Sequence, residues 1–159
     1  MRVGVTGHLN LSEESVRLVT AALRDHLGTF DAASLVGVSC LARGSDSVFA
    51  EVLIELGGRL EVVLPSTDYR EAKIGLDQIS QFDRLLAEAS AVNTMPFDTA
   101  DPDAYAAANE ALLGSIDQLV AIWDGRPALD KGGTAAAVAG ARARGIAVHV
   151  IWPEGARRV

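Results

Sequence analysis

The sequence predicts an α/β fold: a doubly wound, mostly parallel sheet with helices on both faces. Three observations predict it. Six short β-rich runs alternate with longer helical stretches along the whole chain. Most of those runs are continuously apolar, the pattern of strands covered on both faces. The spacers between them are long enough for crossover helices, which parallel neighbours require and which are right-handed.

The elements follow in order. Val3–Thr6 reads as the first strand. Ser12 can cap a helix whose first turn holds Glu13 and Glu14, placed to meet its positive end. Val16, Val19, Leu23 and Leu27 recur at helical spacing until Gly28 ends the pattern. Leu35–Ser39 is the second strand, and a helix from about Ser45 to Leu56 stops at Gly57-Gly58. Leu60–Leu64 is the third strand. The connection from Ser66 to Ser90 holds a turn near Tyr69 and a helix carrying Phe82, Leu85 and Leu86. Ala91–Met95 is the fourth strand, and Pro102 to Leu113 a helix bounded by Gly114. Gln118–Trp123, a helix from about Gly133 to Arg144 closed by Gly145, and the strand Ala147–Ile151 complete the chain.

The chain has 159 residues, 49% of them hydrophobic, enough for one domain over 1–159 with a core of its own. Acidic residues outnumber basic ones, 21 to 14, for a net charge of −7. A protein that neutralises many phosphates carries a basic excess, so long nucleic acid is disfavoured and one small phosphorylated ligand is not. The adjacent pair Arg157-Arg158 reads as a solvated tail. The lone Cys40 permits no internal disulfide and reads as a small buried hydrophobe. The start of the sequence lacks a secretory apolar run, and no stretch reaches a membrane span, so the expectation is a cytoplasmic protein without a membrane partner. His8, His26 and His149 are not clustered with other ligand types, so no metal site is expected.

In such a sheet, which is Rossmann-like, ligands bind beyond the carboxyl ends of the strands, near the point where strand order reverses. The residues that follow each strand are therefore the candidates. Gly132-Gly133-Thr134 leads into the last helix. Glycines admit a ligand to the backbone, and a helix start offers unpaired N–H groups to an anion, with Lys131 adding charge. Arg43-Gly44-Ser45-Asp46 repeats this arrangement at the second helix: Ser45 or Asp46 can cap it, and Arg43 can reach a phosphate or carboxylate. Gly7 permits a tight turn and close approach, and His8 can donate to a ligand or move a proton. Asp124 suits a ligand hydroxyl or a loop amide equally. Tyr69 can stack on a base and Asn109 read its edge or cap the pocket, although residues of these types in such places are more often plain surface residues. Trp123 and Trp152 read as core or rim packing. No dinucleotide fingerprint, phosphate-loop motif or nucleophile elbow is present.

The combination of Val3-Gly4-Val5-Thr6-Gly7-His8, Leu41-Ala42-Arg43-Gly44-Ser45-Asp46, Asp124-Gly125 and Lys131-Gly132-Gly133-Thr134 resembles the SLOG superfamily. That superfamily joins the Smf/DprA and LOG proteins with molybdenum-cofactor carriers and YpsA-like relatives. The resemblance covers nearly the whole chain. It implies a pocket for a nucleotide or sugar-phosphate derivative, with phosphate near Gly133, Thr134 and Arg43, and by analogy a homodimer. LOG enzymes, which cleave the N-glycosidic bond of a cytokinin nucleotide, carry P-G-G-x-G-T-x-x-E, and here the glutamate position is Ala137. Asp46, Glu51 or Asp124 would have to replace that carboxylate. The leading expectation is thus a small-ligand binding protein, with nucleotide hydrolysis and molybdenum-cofactor carriage as alternatives.

Overall fold

The computed structural model describes residues 1–127 and 133–159. Its strands are β1 (Arg2–Gly7), β2 (Val36–Ser39), β3 (Arg59–Leu64), β4 (Ala91–Thr94), β5 (Gln118–Ile122) and β6 (Ala147–Ile151). Its α-helices are α1 (Glu13–Leu27), α2 (Ser45–Glu55), α3 (Tyr69–Lys73), α4 (Ile79–Glu88), α5 (Pro102–Leu113) and α6 (Gly133–Ala143). A short 3-10 turn, Ala32–Ser34, precedes β2 and has no counterpart in the sequence reading. Its three-residue scale is below what periodicity resolves.

All six strands form one parallel sheet in the order β4-β3-β2-β1-β5-β6. The chain steps outward from β1 to β4, then returns to lay β5 on the other side of β1. The reversal of strand order therefore falls between β1 and β5. These two strands end level, with Gly7 opposite Ile122. Residues 8 and 123–124 consequently stand side by side just beyond the sheet.

Two apolar layers flank the sheet. On one face Val3 and Val5 meet Val19, Leu23 and Leu27 of α1, Phe49 and Leu53 of α2, and Phe82 and Leu85 of α4. On the other, Val38, Val63 and Leu119 meet Ala108 and Leu112 of α5 and Ala137 and Ala141 of α6. Alanines on α6 let that helix lie close to the sheet. Covered strands explain the continuous apolar runs of the inner strands, whereas at the edge strand β6 only Ile151 is buried. All four residues of β4 are exposed, since it is the other sheet edge and the helices centre on the inner strands. Among the described residues, no helix is long and apolar enough to cross a membrane.

Candidate functional site

Each helix that follows a strand here runs back antiparallel to it, so the starts of α1, α2 and α6 all lie at the carboxyl edge. They are not equivalent. At α1, the Ser12 side chain accepts from the Ser15 amide at 3.1 Å, and the Ser12 amide donates to the Arg157 carbonyl. The helix start nearest β1 is thus filled by the protein's own groups. The start of α2 has no side-chain cap; its N-cap is Gly44, at φ +77°. Neither Ser45 nor Asp46 caps the helix, because both side chains are turned to other partners. The start of α6 is Gly133, at φ +76°, and no atom of the described residues lies within 4 Å of where its side chain would be. Thr134 beside it is buried. The expectations placed on Lys131 and Gly132 lie outside the described residues.

The loops after β1 and β2 interlock. A side chain at Gly7 would come within 2.4 Å of Ser45 Cβ and 2.9 Å of Ile122 Cβ. One at Gly44 would lie 2.4 Å from the Leu9 carbonyl oxygen. Ser45 donates to the His8 carbonyl through its hydroxyl, at 2.8 Å, and through its amide. What approaches Gly7 closely is therefore the first turn of α2. Ser45 braces the β1 loop, and that long-range pairing outcompetes a local cap.

Asp46 holds its own loop closed by accepting from the Ala42 amide at 3.2 Å, while Ser47 donates to the Ala42 carbonyl. Burial pushes the Asp46 carboxyl up to about 7, with the Ala42 amide only partly opposing it. Desolvation, aided by Asp46, also raises the pKa of the half-buried Cys40 thiol, which disfavours the thiolate at neutral pH. Arg43 reaches the Asn10 side chain at 2.5 Å. Tyr69 is buried, packed on Phe82 and Tyr105 with ring centroids 6.2 and 6.3 Å away, and offers no face for a base. It begins α3, and its ring is drawn under the helix into the core. Asn109 is half-buried on α5. Glu51 is not at the rim: it sits mid-helix on α2, where it pairs with Arg84 and Gln81 of α4.

At the β1/β5 junction, the Asp124 amide donates to His8 Nε2 at 3.1 Å. That nitrogen must present its lone pair, so the imidazole carries its proton on Nδ1. Asp124 Oδ1 lies 3.3 Å from the same nitrogen and also accepts from the Arg126 amide. Burial and the nearby Arg158 hold the His8 pKa below its ordinary value, against the pull of Asp124, so the ring is neutral at pH 7. Asp124 itself is held below the usual carboxylate range: the desolvation that would raise it is outweighed by the Arg126 amide, His8 and Arg158. Trp152 meets His8 edge-on at 5.4 Å.

Arg158 is the residue that the sequence reading missed. It does not belong to a solvated tail. Its guanidinium lies 2.8 Å from Asp124 Oδ2, and its backbone pairs with Leu11 in an antiparallel bridge. A basic residue so far from β5 in the chain has no local signal; the alternation of polar residues near Leu11 and Ser15 is too short to announce a docking strip. Among the described residues, no group of three or more His, Cys, Asp or Glu side chains is placed to hold a metal ion.

No family model and no curated protein sequence matches the chain. Solved structures do match its fold. DNA processing protein A (DprA) from Streptococcus pneumoniae superposes with a TM-score of 0.69 at 17% identity, over 97% of this chain and 51% of that one. DprA from Helicobacter pylori, a protein with a single-stranded DNA binding mode, gives 0.70 at 15% identity, over 98% of this chain and 66% of that one. The Moco carrier protein from Chlamydomonas reinhardtii gives 0.56 at 21% identity, over 96% and 78%. The chain thus spans about half the length of the first DprA and two thirds of the second. Two groups named in the resemblance, the DprA and Moco carrier proteins, share this fold.

Proposed function

We propose that the chain binds a small phosphorylated ligand, a nucleotide or a nucleotide-derived sugar phosphate, across the carboxyl ends of β1 and β5. The observation that carries this is the start of α6. Gly133 adopts a positive φ with no atom of the described residues within 4 Å of its side-chain position, beside the reversal of strand order where parallel sheets hold their ligands. The alternative phosphate position at α1 is filled by Ser12 and Arg157, and at α2 the Ser45 amide is already given to the His8 carbonyl, which directs an anion to α6. Gly133, Thr134 and Arg43 then face the phosphate side. Asp46 and Ser45 order the loop beneath, and His8 offers only its Nδ1 proton, as a donor.

The test is ligand-dependent stabilisation. AMP, ribose 5-phosphate and other phosphorylated probes should raise the melting temperature, as any ligand of the native state does. Gly133→Phe should abolish the rise while circular dichroism stays unchanged. A rise that survives Gly133→Phe, or no rise with any phosphorylated probe, overturns the assignment.

One observation favours a second reading, hydrolysis of a nucleoside monophosphate at its N-glycosidic bond. Asp46 is a carboxyl group tuned to about 7, suited to giving and taking a proton near neutrality. With Ala137 in the LOG glutamate position, Glu51 engaged on α4 and Asp124 held ionised against Arg158, Asp46 is the remaining candidate carboxyl group. Free adenine accumulating from AMP in proportion to protein, and lost in Asp46→Asn, is the expected result of that reading. Intact AMP leaves the binding function alone. Carriage of a molybdenum cofactor would use the same anion site with a pterin phosphate.

A further inference from the structure

Segment 153–159 leaves β6, turns at Gly155 with φ +89°, and comes back over the loop between β1 and α1. Its hold is specific. The Arg157 amide donates to Ser15 Oγ at 2.7 Å, Ser15 Oγ lies 2.9 Å from the Arg157 carbonyl, and the Val159 amide donates to the Asn10 carbonyl. Ser15 is fully buried beneath this strap. Asn10 is bonded twice, by its carbonyl to Val159 and by its side chain to Arg43, so one loop residue braces both the strap and the second cation.

The strap delivers Arg158 to Asp124. Their exposures differ: the Asp124 side chain is 11% exposed and the Arg158 side chain 43%. The carboxylate lies inside, with both oxygens already engaged, and the guanidinium lies outside it. What faces outward is therefore the positive end of the pair. Arginine presents five N–H donors in a planar fork, and among the described residues Asp124 meets that fork at Nη2, 2.8 Å away. The remaining donors stand at the β1/β5 junction of a protein whose net charge is −7.

We propose that Arg158, held by Asp124 and by the 153–159 strap, is the residue that selects a phosphorylated ligand over its unphosphorylated counterpart in this crevice. It gives part of its fork to the ligand's phosphate while Asp124 keeps the rest in place. The proposal rests on the reading that the ligand occupies the β1/β5 crevice.

Calorimetry with AMP against adenosine, and ribose 5-phosphate against ribose, tests both layers. Arg158→Gln should weaken AMP and ribose 5-phosphate by about 10-fold or more, the scale of a lost charge-assisted bond, and leave adenosine and ribose unchanged. Arg158→Lys should fall between, since it keeps the charge and loses the fork. An equal loss for phosphorylated and unphosphorylated probes would mean that Arg158 only holds the strap, and overturns the proposal. AMP binding that survives Arg158→Gln but is lost in Gly133→Phe overturns the Arg158 assignment alone. A wild-type protein that binds none of the four probes overturns both the assignment and the site.

Discussion

Asp46 carries its carboxyl group into an environment 8% exposed, and that burial sets a pH dependence that stability measurements can read. In the unfolded chain the carboxyl titrates near its ordinary value of 3.8; in the folded protein it titrates at about 7. The folded state therefore holds the proton more tightly. Its contribution is fully present below the lower value and is lost as pH rises from there through about 7. Urea unfolding should show wild type losing on the order of 2–3 kcal/mol between pH 5 and pH 8 relative to Asp46→Asn, which keeps an acceptor for the Ala42 amide. Equal pH profiles would remove the buried-carboxyl account. Gly7 makes a second prediction at this scale. A methyl group there would meet Ser45 Cβ at 2.4 Å, a contact only backbone movement can relieve. Gly7→Ala should cost roughly 2–3 kcal/mol in denaturant unfolding, as overpacking in a tight core does. A cost within experimental error would show that the two loops are free to part.

Among the elements, α1 is the one whose start is doubly used. Ser12 caps it, and Ser15, one turn in, is buried while serving as both donor and acceptor for Arg157. Ser15→Ala leaves the cap's oxygen in place and takes away the strap's anchor. The expected outcome is faster hydrogen exchange at the Arg157 and Val159 amides, with global stability down by about 1 kcal/mol and the amides of mid-α1 still protected. Unchanged exchange would mean that the bridge at Leu11 and the Arg158–Asp124 pair hold the segment without Ser15. The helices also show why element boundaries were readable. Ser12 and Asp101 each accept from the amide three residues on, and Pro102 opens α5, all short-range signals. The beginning of α2 was not readable in this way, because Ser45 and Asp46 look like caps and are instead claimed by His8 and Ala42.

The whole molecule places its cations sparingly. Against a net charge of −7, Arg43 reaches the β1–α1 loop and Arg158 the β1/β5 junction, and we propose that the two serve one phosphate rather than a polymer. Fluorescence anisotropy with a single-stranded oligothymidylate should show no saturable binding at physiological salt below about 10 μM protein, whereas a DNA-binding module would saturate well before that. Saturation with a steep salt dependence would assign the crevice to single strands, the ligand of the Helicobacter pylori DprA that shares this fold.

The sequence by itself determined the order and type of nearly every element, because continuous apolar runs, helical spacing and caps act between residues a few positions apart. It also pointed to the rim, since residues just after the strands of a parallel sheet stand at the ligand edge whatever the sheet's order. Tertiary structure alone decided which of those residues share a place. The pairing of β1 with β5 set His8 beside Asp124, 116 positions on. Packing filled Gly7 with Ser45, drew Tyr69 inward, turned Glu51 toward α4 and brought Arg158 back over Leu11. Each of those outcomes depends on contacts between segments distant in the chain, whose closure is set by the summed burial of both cores and leaves no mark in any local window.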